Sequence, residues 1–123
     1  MTTNKSLLLG LVGVCASGKT TLGTRLKARG YQVKHIAQEH SFVKDMWQRI
    51  SNPDLLVFLD VSYEVAMRRR RLDWTQADYN EQQRRLAHAR EHADLYIQTD
   101  TLDAAEVEAK VLAFLKEASG ETG

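Results

Sequence analysis

The sequence has a single cysteine and almost no net charge, and each of these two features excludes a class of protein. A single cysteine among 123 residues excludes an intrachain disulfide framework and is typical of a reducing cytoplasm. A formal net charge of +1 provides no overall field that would recruit nucleic acid or an acidic membrane surface. Repeats, low-complexity segments and membrane-spanning apolar runs are missing as well. With 43% hydrophobic residues, the sequence predicts one soluble, cytoplasmic globular domain over residues 1–123.

An apolar run near the start, LLLGLVGVCA after Lys5, resembles the apolar region of a signal peptide. The run does not end in a cleavage site, because it continues into a glycine-containing loop with the sequence Gly18-Lys19-Thr20. We therefore expect a protein that is neither exported nor inserted in a membrane.

Residues 7–26 carry the most informative pattern in the chain, LLLGLVGVCASGKTTLGTRL. An apolar run leads to Gly13, four residues separate it from Gly18-Lys19-Thr20, and a helical pattern follows in which Leu22 and Leu26 lie one turn apart. This is a complete Walker A pattern between a predicted strand and a predicted helix. The spacing therefore predicts a phosphate-binding loop.

The residue types in this loop suit a triphosphate. Glycine at both ends of the loop lets successive backbone N–H groups point at phosphate oxygens, and the following helix N-terminus favours negative charge. Lys19 would reach the β- and γ-phosphates, the Thr20 hydroxyl would bind Mg²⁺, and Thr21 ranks second, as a ligand of the α-phosphate. Cys15 counts here for its backbone N–H, because no nearby residue in the sequence offers a partner base. The predicted nucleotide-binding residues are Gly13, Val14, Cys15, Ala16, Ser17, Gly18, Lys19, Thr20 and Thr21.

Strands and helices alternate along the rest of the chain. Apolar patterns predict strands at 6–12, 31–37, 55–59 and 95–98. Helices are predicted from Lys19 to about Gly30, at 62–71 and 76–92, and near the end of the chain, with a shorter one on the apolar residues Phe42, Val43, Met46, Trp47 and Ile50. This alternation predicts an α/β fold with a small parallel sheet between helices. Right-handed crossovers and a central first strand give the strand order 2-1-3-4.

Three segments together, GVCASGKTT, PDLLVFLDVSYEVAMRRRR and ADLYIQTDTLDAAEVEAKVLAFL, resemble the P-loop small-molecule kinases, such as thymidylate, adenylate and shikimate kinases. The resemblance implies a shortened three-layer P-loop NTPase-like fold. It also implies ATP and Mg²⁺ as cofactors and transfer of the ATP γ-phosphoryl group to a small-molecule acceptor. ATP is preferred to GTP, because the sequence has no guanine-specific Asn-Lys-x-Asp stretch.

The four consecutive arginines at 68–71 correspond, by this resemblance, to the lid of such kinases. Each residue of a helix steps about 100° around the axis, so the four side chains cannot face one site. Arg69 aligns best with the lid arginine and Arg71 comes next, and both are predicted to stabilise the transferred phosphoryl group. The alternative is a solvated basic face. RNA binding is less favoured, because no aromatic platform accompanies the arginines.

Two carboxylates compete for the role of Mg²⁺-linked acid or general base. Asp60 follows the apolar run LLVFL and resembles a Walker B aspartate, which makes it a candidate metal ligand together with Thr20. In the resembling kinases, however, the strand before the lid helix does not carry that acid. Glu39 follows the predicted second strand and would lie beside the phosphate loop, at the strand ends where α/β sheets bind ligands. We rank Glu39 first, with an exposed loop carboxylate as the alternative.

The segment between the second and third strands is much shorter than the acceptor-binding region of the resembling kinases. Three alternatives follow: a small acceptor held by residues 38–49, a pocket completed by a second subunit in a homodimer, or loss of the acceptor site. The sequence therefore predicts nucleotide binding and leaves three functions open. These are a compact kinase, a nucleotide-binding regulatory module in which bound nucleotide orders the lid, and a simple NTPase.

Overall fold

Four strands and five α-helices follow one another in the computed structural model, which describes residues 6–70 and 74–118 but not the side chain of Arg70. The strands are β1 (Leu8–Gly13), β2 (Gln32–His35), β3 (Leu55–Asp60) and β4 (Leu95–Gln98). The helices are α1 (Lys19–Ala28), α2 (Met46–Ser51), α3 (Tyr63–Arg70), α4 (Gln76–His92) and α5 (Ala104–Ala118), with a 3₁₀ turn at Gln38–His40 between β2 and α2.

The strands form one parallel sheet in the order β2-β1-β3-β4. β1 is central, and its Leu11 pairs with His35 of β2 on one side and with Val57 of β3 on the other. Parallel strands need crossover connections, and here helices supply them. The predicted α/β class, with a small parallel sheet flanked by helices, is confirmed.

Alternation along the central strands directs side chains to two apolar layers. On one face, Leu9 and Leu11 of β1 pack with residues of α1 and α5, among them Leu26 and Val111. On the other face, Phe58 of β3 packs with residues of α2, α3 and α4. Both faces of β1 and β3 are therefore buried, which explains why their sequences are continuous apolar runs and not alternating ones.

Local signals define α4 and the start of α5. Thr75 and Asp78 form a capping box, in which the Thr75 hydroxyl accepts from the Asp78 N–H and the Asp78 carboxylate accepts from the Thr75 N–H. Asp103 and Glu106 make the same reciprocal pair before α5. The helix predicted at residues 76–92 has the same bounds in the structure.

The segment between β2 and β3 differs most from the prediction. Of its apolar residues, Trp47 is buried, whereas Phe42, Val43 and Ile50 are 85%, 49% and 68% exposed. The predicted short helix is present as α2, but it begins only at Met46, so Phe42 and Val43 lie before it. β2 is likewise shorter than predicted, since it lies at the sheet edge and ends at His35.

Candidate functional site

The loop between β1 and α1 has backbone conformations that few residue types other than glycine adopt. Gly13 and Gly18 have φ angles of 154° and 100°, and Ala16 has a φ of 70°. A Cβ at position 13 would lie 2.0 Å from the carbonyl oxygen of Leu59, so the loop leaves β1 where no side chain fits. Gly18 is the N-cap of α1. The first N–H groups of a helix lack partners within the helix, and this end of α1 therefore favours an anion.

A cavity of about 420 Å³ opens above this loop. Its volume lies in the range of small-ligand sites, which is about 300–1,000 Å³. The lining residues come from the loop and α1, from the segments after β2 and β4, and from α3 and α5: Cys15, Ala16, Ser17, Gly18, Lys19, Thr20, Thr21, Leu22, His35, Glu39, Arg69, Thr99, Leu102, Asp103, Ala104 and Val107.

Lys19 and Glu39 meet inside this cavity. The Lys19 ammonium donates to Glu39 Oε2 at 2.5 Å and to the Gly13 carbonyl oxygen at 2.6 Å, and both charged side chains are only 6% exposed. On sequence grounds Glu39 ranks above Asp60 as Mg²⁺-linked acid or general base, and the structure brings the Glu39 carboxylate to the loop lysine. A buried pair of this kind offers both a cation for an anionic ligand and a carboxylate beside it.

Two buried oxygens at this site have no hydrogen-bond partner. Within the part of the chain that the structure describes, these are Ser17 Oγ and Glu39 Oε1. Buried polar atoms are nearly always hydrogen-bonded, because an unpaired one costs about 1–3 kcal/mol. Both oxygens belong to residues that line the cavity.

Arg69 of α3 reaches the same cavity. Its guanidinium donates to the Ala16 carbonyl oxygen at 3.2 Å, to Thr99 Oγ1 at 3.0 Å and to the Thr99 carbonyl oxygen. The Thr99 hydroxyl in turn donates to the carbonyl oxygens of Ser17 and Asp60. These bonds join the phosphate loop to the turn after β4. Among the four consecutive arginines, Arg69 is thus a cavity residue, whereas Arg71 lies outside the described residues.

The Asp60 carboxylate is not brought to this cavity. It accepts from the Tyr96 hydroxyl at 2.5 Å and from Gln83 Nε2 at 3.0 Å, and it lies 3.3 Å from Arg90 Nη2. Burial and the Asp60 carboxylate raise the pKa of Tyr96 to about 12, so the phenol keeps its proton. Asp60 therefore joins the end of β3 to α4 and β4.

The remaining loop residues divide into two groups. Val14 is fully buried in the core beneath the loop, so only its backbone is available to a ligand. Thr20 and Thr21 are exposed at the start of α1 and line the cavity, where their hydroxyls can meet an anion or its counter-ion.

Cys15 has neighbours that sequence reasoning missed. Its thiol sulfur lies 3.9 Å from Glu39 Oε2 and 3.9 Å from His40 Nε2, and its N–H donates to Gln82 Oε1 of α4 at 3.2 Å. Glu39 and His40 follow the predicted second strand, but no sequence pattern predicts that the turn at Gln38–His40 packs against the loop between β1 and α1. No sequence pattern identified Gln82 as a candidate site residue.

His35 is a further cavity residue that sequence reasoning did not select. It ends β2 and lines the cavity on the side of Lys19 and Glu39. Partial burial lowers its pKa below 6.5, the Lys19 charge lowers it further, and Glu39 opposes both effects. Without a ligand, His35 is therefore neutral at pH 7.

No protein-family model and no curated protein matches this sequence. Over residues 6–70 and 74–118, none of the helices combines the length and the apolar character that crossing a membrane requires. The geometry of the cavity is thus the basis for a functional assignment.

Proposed function

We propose that the chain binds ATP with Mg²⁺ and transfers the γ-phosphoryl group to a small-molecule acceptor, on a shortened P-loop kinase-like fold. The observation that carries this proposal is the buried Lys19 ammonium, held between Gly13 and Glu39 at the end of a strand-loop-helix unit. A phosphate-binding loop requires a strand, a glycine loop, a lysine and a helix N-terminus, and this unit combines all four.

The cavity is lined by both polar and apolar groups, which suits a nucleotide. The phosphate groups would lie at the loop, beside the Lys19 ammonium and the first N–H groups of α1, which lack partners within the helix. Leu102, Ala104 and Val107 also line the cavity and offer an apolar surface to the base. This mixed lining supports a nucleoside triphosphate over a bare phosphate ion.

The donor set also suits Mg²⁺, a hard cation that prefers oxygen ligands. The Thr20 hydroxyl would hold it, with Glu39 as the nearby carboxylate, since Glu39 Oε1 is buried without a partner. Bound Mg²⁺ would supply charge neutralisation on the β- and γ-phosphates. Asp60 has its carboxylate engaged elsewhere, which favours Glu39 for this role.

In the proposed transfer, an acceptor oxygen forms a bond to the γ-phosphorus as the bond to the β–γ bridging oxygen breaks and ADP departs. Glu39 takes the acceptor proton, which requires that the phosphates first draw Lys19 away from it. Lys19 and Arg69 offset the charge that spreads over the transferred group. Arg69 already donates to the loop carbonyl at Ala16, so a small rotation brings its guanidinium to the γ-phosphate.

The short segment between β2 and β3 favours a second candidate, a nucleotide-binding regulatory module or simple NTPase without an acceptor site. Only a 3₁₀ turn and the six-residue α2 lie there, and Phe42 and Ile50 are exposed instead of enclosing a pocket. A small acceptor would have to bind against residues 38–49 or against a second subunit.

The test measures ADP formation from Mg-ATP with and without pooled nucleosides, nucleotides and small hydroxylated metabolites, together with binding of a fluorescent ATP analogue. Lys19→Met and Arg69→Ala are the test variants, and Arg84→Ala on the exposed face of α4 is the matched control. Loss of one charged donor should lower turnover by on the order of 10²-fold, with Arg84→Ala unchanged.

Each outcome selects one function. Acceptor-dependent ADP that requires Lys19 supports the kinase, whereas acceptor-independent ADP supports an NTPase. Lys19-dependent binding without turnover supports the regulatory module. If the folded wild-type chain binds no nucleotide, the whole proposal is overturned.

A further inference from the structure

Three side chains of different chemistry converge beside the loop between β1 and α1. Cys15 Sγ, Glu39 Oε2 and His40 Nε2 lie 3.9, 3.9 and 3.8 Å from one another, as a nearly equilateral triangle. They come from the phosphate loop and from the turn after β2, so the fold and not the local sequence brings them together. A thiol, a carboxylate and an imidazole are all ligands of transition metals.

The dimensions of this triangle match those of a metal site. A point at its centre lies about 2.2 Å from each corner, and Zn²⁺ binds sulfur, nitrogen and carboxylate oxygen at ~2.0–2.3 Å. The three ligand atoms therefore need little movement to coordinate one ion.

The burial of Glu39 also favours a cation at this site. The Glu39 side chain is only 6% exposed, and buried carboxylates keep their charge when they are paired or bind a metal. Its Oε2, which is the carboxylate corner of the triangle, already accepts from the Lys19 ammonium, so a metal would share this oxygen with Lys19.

We propose that Cys15, Glu39 and His40 form a binding site for a divalent transition metal of the zinc class. The thiol and imidazole select such an ion over Mg²⁺, which prefers oxygen ligands alone. Three protein ligands leave a fourth position for water or an anion. The site shares Glu39 with the proposed Mg²⁺ site at Thr20, but its other two ligands, Cys15 and His40, are not part of that site, and it does not depend on nucleotide binding.

Metal binding has two electrostatic consequences. Cys15 binds as the thiolate, so its thiol proton is released to the solvent, while His40 binds through its neutral ring. The metal also competes with the Lys19 ammonium for Glu39 Oε2, because both are cations close to the same oxygen. Lys19 thus weakens the metal site, and a variant without the ammonium should bind metal more tightly.

The test is a Co²⁺ titration of the full, nucleotide-free chain, followed by displacement with Zn²⁺. A thiolate-to-Co²⁺ charge-transfer band reports Cys15 alone, because it is the only cysteine in the chain. We expect one equivalent of Co²⁺ with this band and release of about one proton. Zn²⁺ should displace the Co²⁺ and abolish the band.

Variants distinguish a specific metal site from adventitious metal binding. His40→Ala, at a side chain that is 61% exposed, should raise the metal Kd at least about tenfold, and Cys15→Ser should remove the band. Lys19→Ala should lower the Kd about tenfold or more. The control is His88→Ala/His92→Ala, which removes a stacked histidine pair on α4 and should leave the band unchanged.

Two results would overturn the proposal: no thiolate band in the folded wild type, or a band that His40→Ala leaves at the same Kd. Because no nucleotide is present and Lys19→Ala is expected to strengthen metal binding, these results are independent of whether the protein binds ATP.

Discussion

The Nζ atom of Lys19 lies 2.5 Å from Glu39 Oε2, and each of the two side chains is only 6% exposed. A charge pair removed from water in this way depends on both partners, since either one alone is left as an uncompensated buried charge. The same pair connects stability to function, because a phosphate group that binds Lys19 must take it from Glu39.

Lys19→Met should destabilise the protein by about 3–5 kcal/mol, because it leaves the buried Glu39 carboxylate unpaired. The double variant Lys19→Met/Glu39→Gln should recover much of this loss, since neither charge remains. Urea unfolding followed by circular dichroism measures both effects. Arg49→Ala, in an exposed pair with Asp45, is the control and should cost at most ~0.5 kcal/mol. Equal stability of the single and double variants would contradict the coupling.

Two glycines near the loop should respond in opposite ways to alanine. Gly13→Ala places a Cβ 2.0 Å from the Leu59 carbonyl oxygen at a φ of 154°, so we expect the variant not to fold or to lose at least ~3 kcal/mol. Gly23 lies within α1, and its Cβ would meet Leu11 Cδ1 at an ordinary 3.5 Å. Gly23→Ala should therefore raise stability by about 0.5–1 kcal/mol. Thermal unfolding of the two variants distinguishes them directly.

Nucleotide binding should raise the pKa of His35. In the free protein that pKa is lowered by partial burial and by Lys19, and an anionic phosphate in the same cavity reverses the sign of the local charge. Binding should thus be accompanied by proton uptake, and the affinity for ATP should increase as the pH falls through the pKa that His35 has in the complex. An NMR titration of His35 with and without nucleotide measures the shift. His35→Gln should flatten this part of the pH dependence, and an unchanged profile would exclude His35 from it.

Glu108 should make the free energy of unfolding depend on pH in the acidic range. Its carboxylate accepts from Arg29 Nε at 2.5 Å and from Arg25 Nε at 2.8 Å, and these two guanidinium groups lower its pKa. A lowered carboxyl pKa contributes stability above the unfolded value, about 4.5, and this contribution is lost as the pH falls through the folded value.

The difference in unfolding free energy between wild type and Glu108→Gln should consequently be largest above the unfolded pKa and should shrink as the pH falls through the folded pKa. Urea unfolding at a series of acidic and neutral pH values measures it. Glu106→Gln in the cap of α5 tests specificity, because that carboxylate receives a backbone N–H and no arginine in the hydrogen bonds described. A difference that is the same at all these pH values would mean that Glu108 acts through packing.

Sequence reasoning succeeded where the deciding contacts are local. The capping box of Thr75 and Asp78 and the strand at Leu95–Gln98 could be read directly, since neighbouring residues determine them. Gly13 also stood out in the sequence, and its φ of 154° is one that glycine adopts readily, although its closest neighbour, the Leu59 carbonyl oxygen, is a distant contact.

Distant contacts decide the features that sequence reasoning missed. An apolar run followed by aspartate looks the same whether the carboxylate faces a ligand or a helix, and only the position of Gln83 and Tyr96 distinguishes the two for Asp60. Likewise, the apolar spacing predicts one short helix that includes Phe42, but the helix begins only at Met46, and Phe42 lies outside it and is exposed.

The central position of β1 also determines when the protein can fold. β1 precedes both of its partners, β2 and β3, and all strand pairs among the described residues are parallel, so none of them is a hairpin. As the chain leaves the ribosome, this apolar strand must remain unpaired on one side until Leu55–Asp60 has been synthesised. Such non-local pairing slows folding and exposes the strand to aggregation. The loop between β1 and α1 therefore reaches its final packing late, and a chaperone that shields the chain until β3 has been synthesised should increase the yield of folded protein.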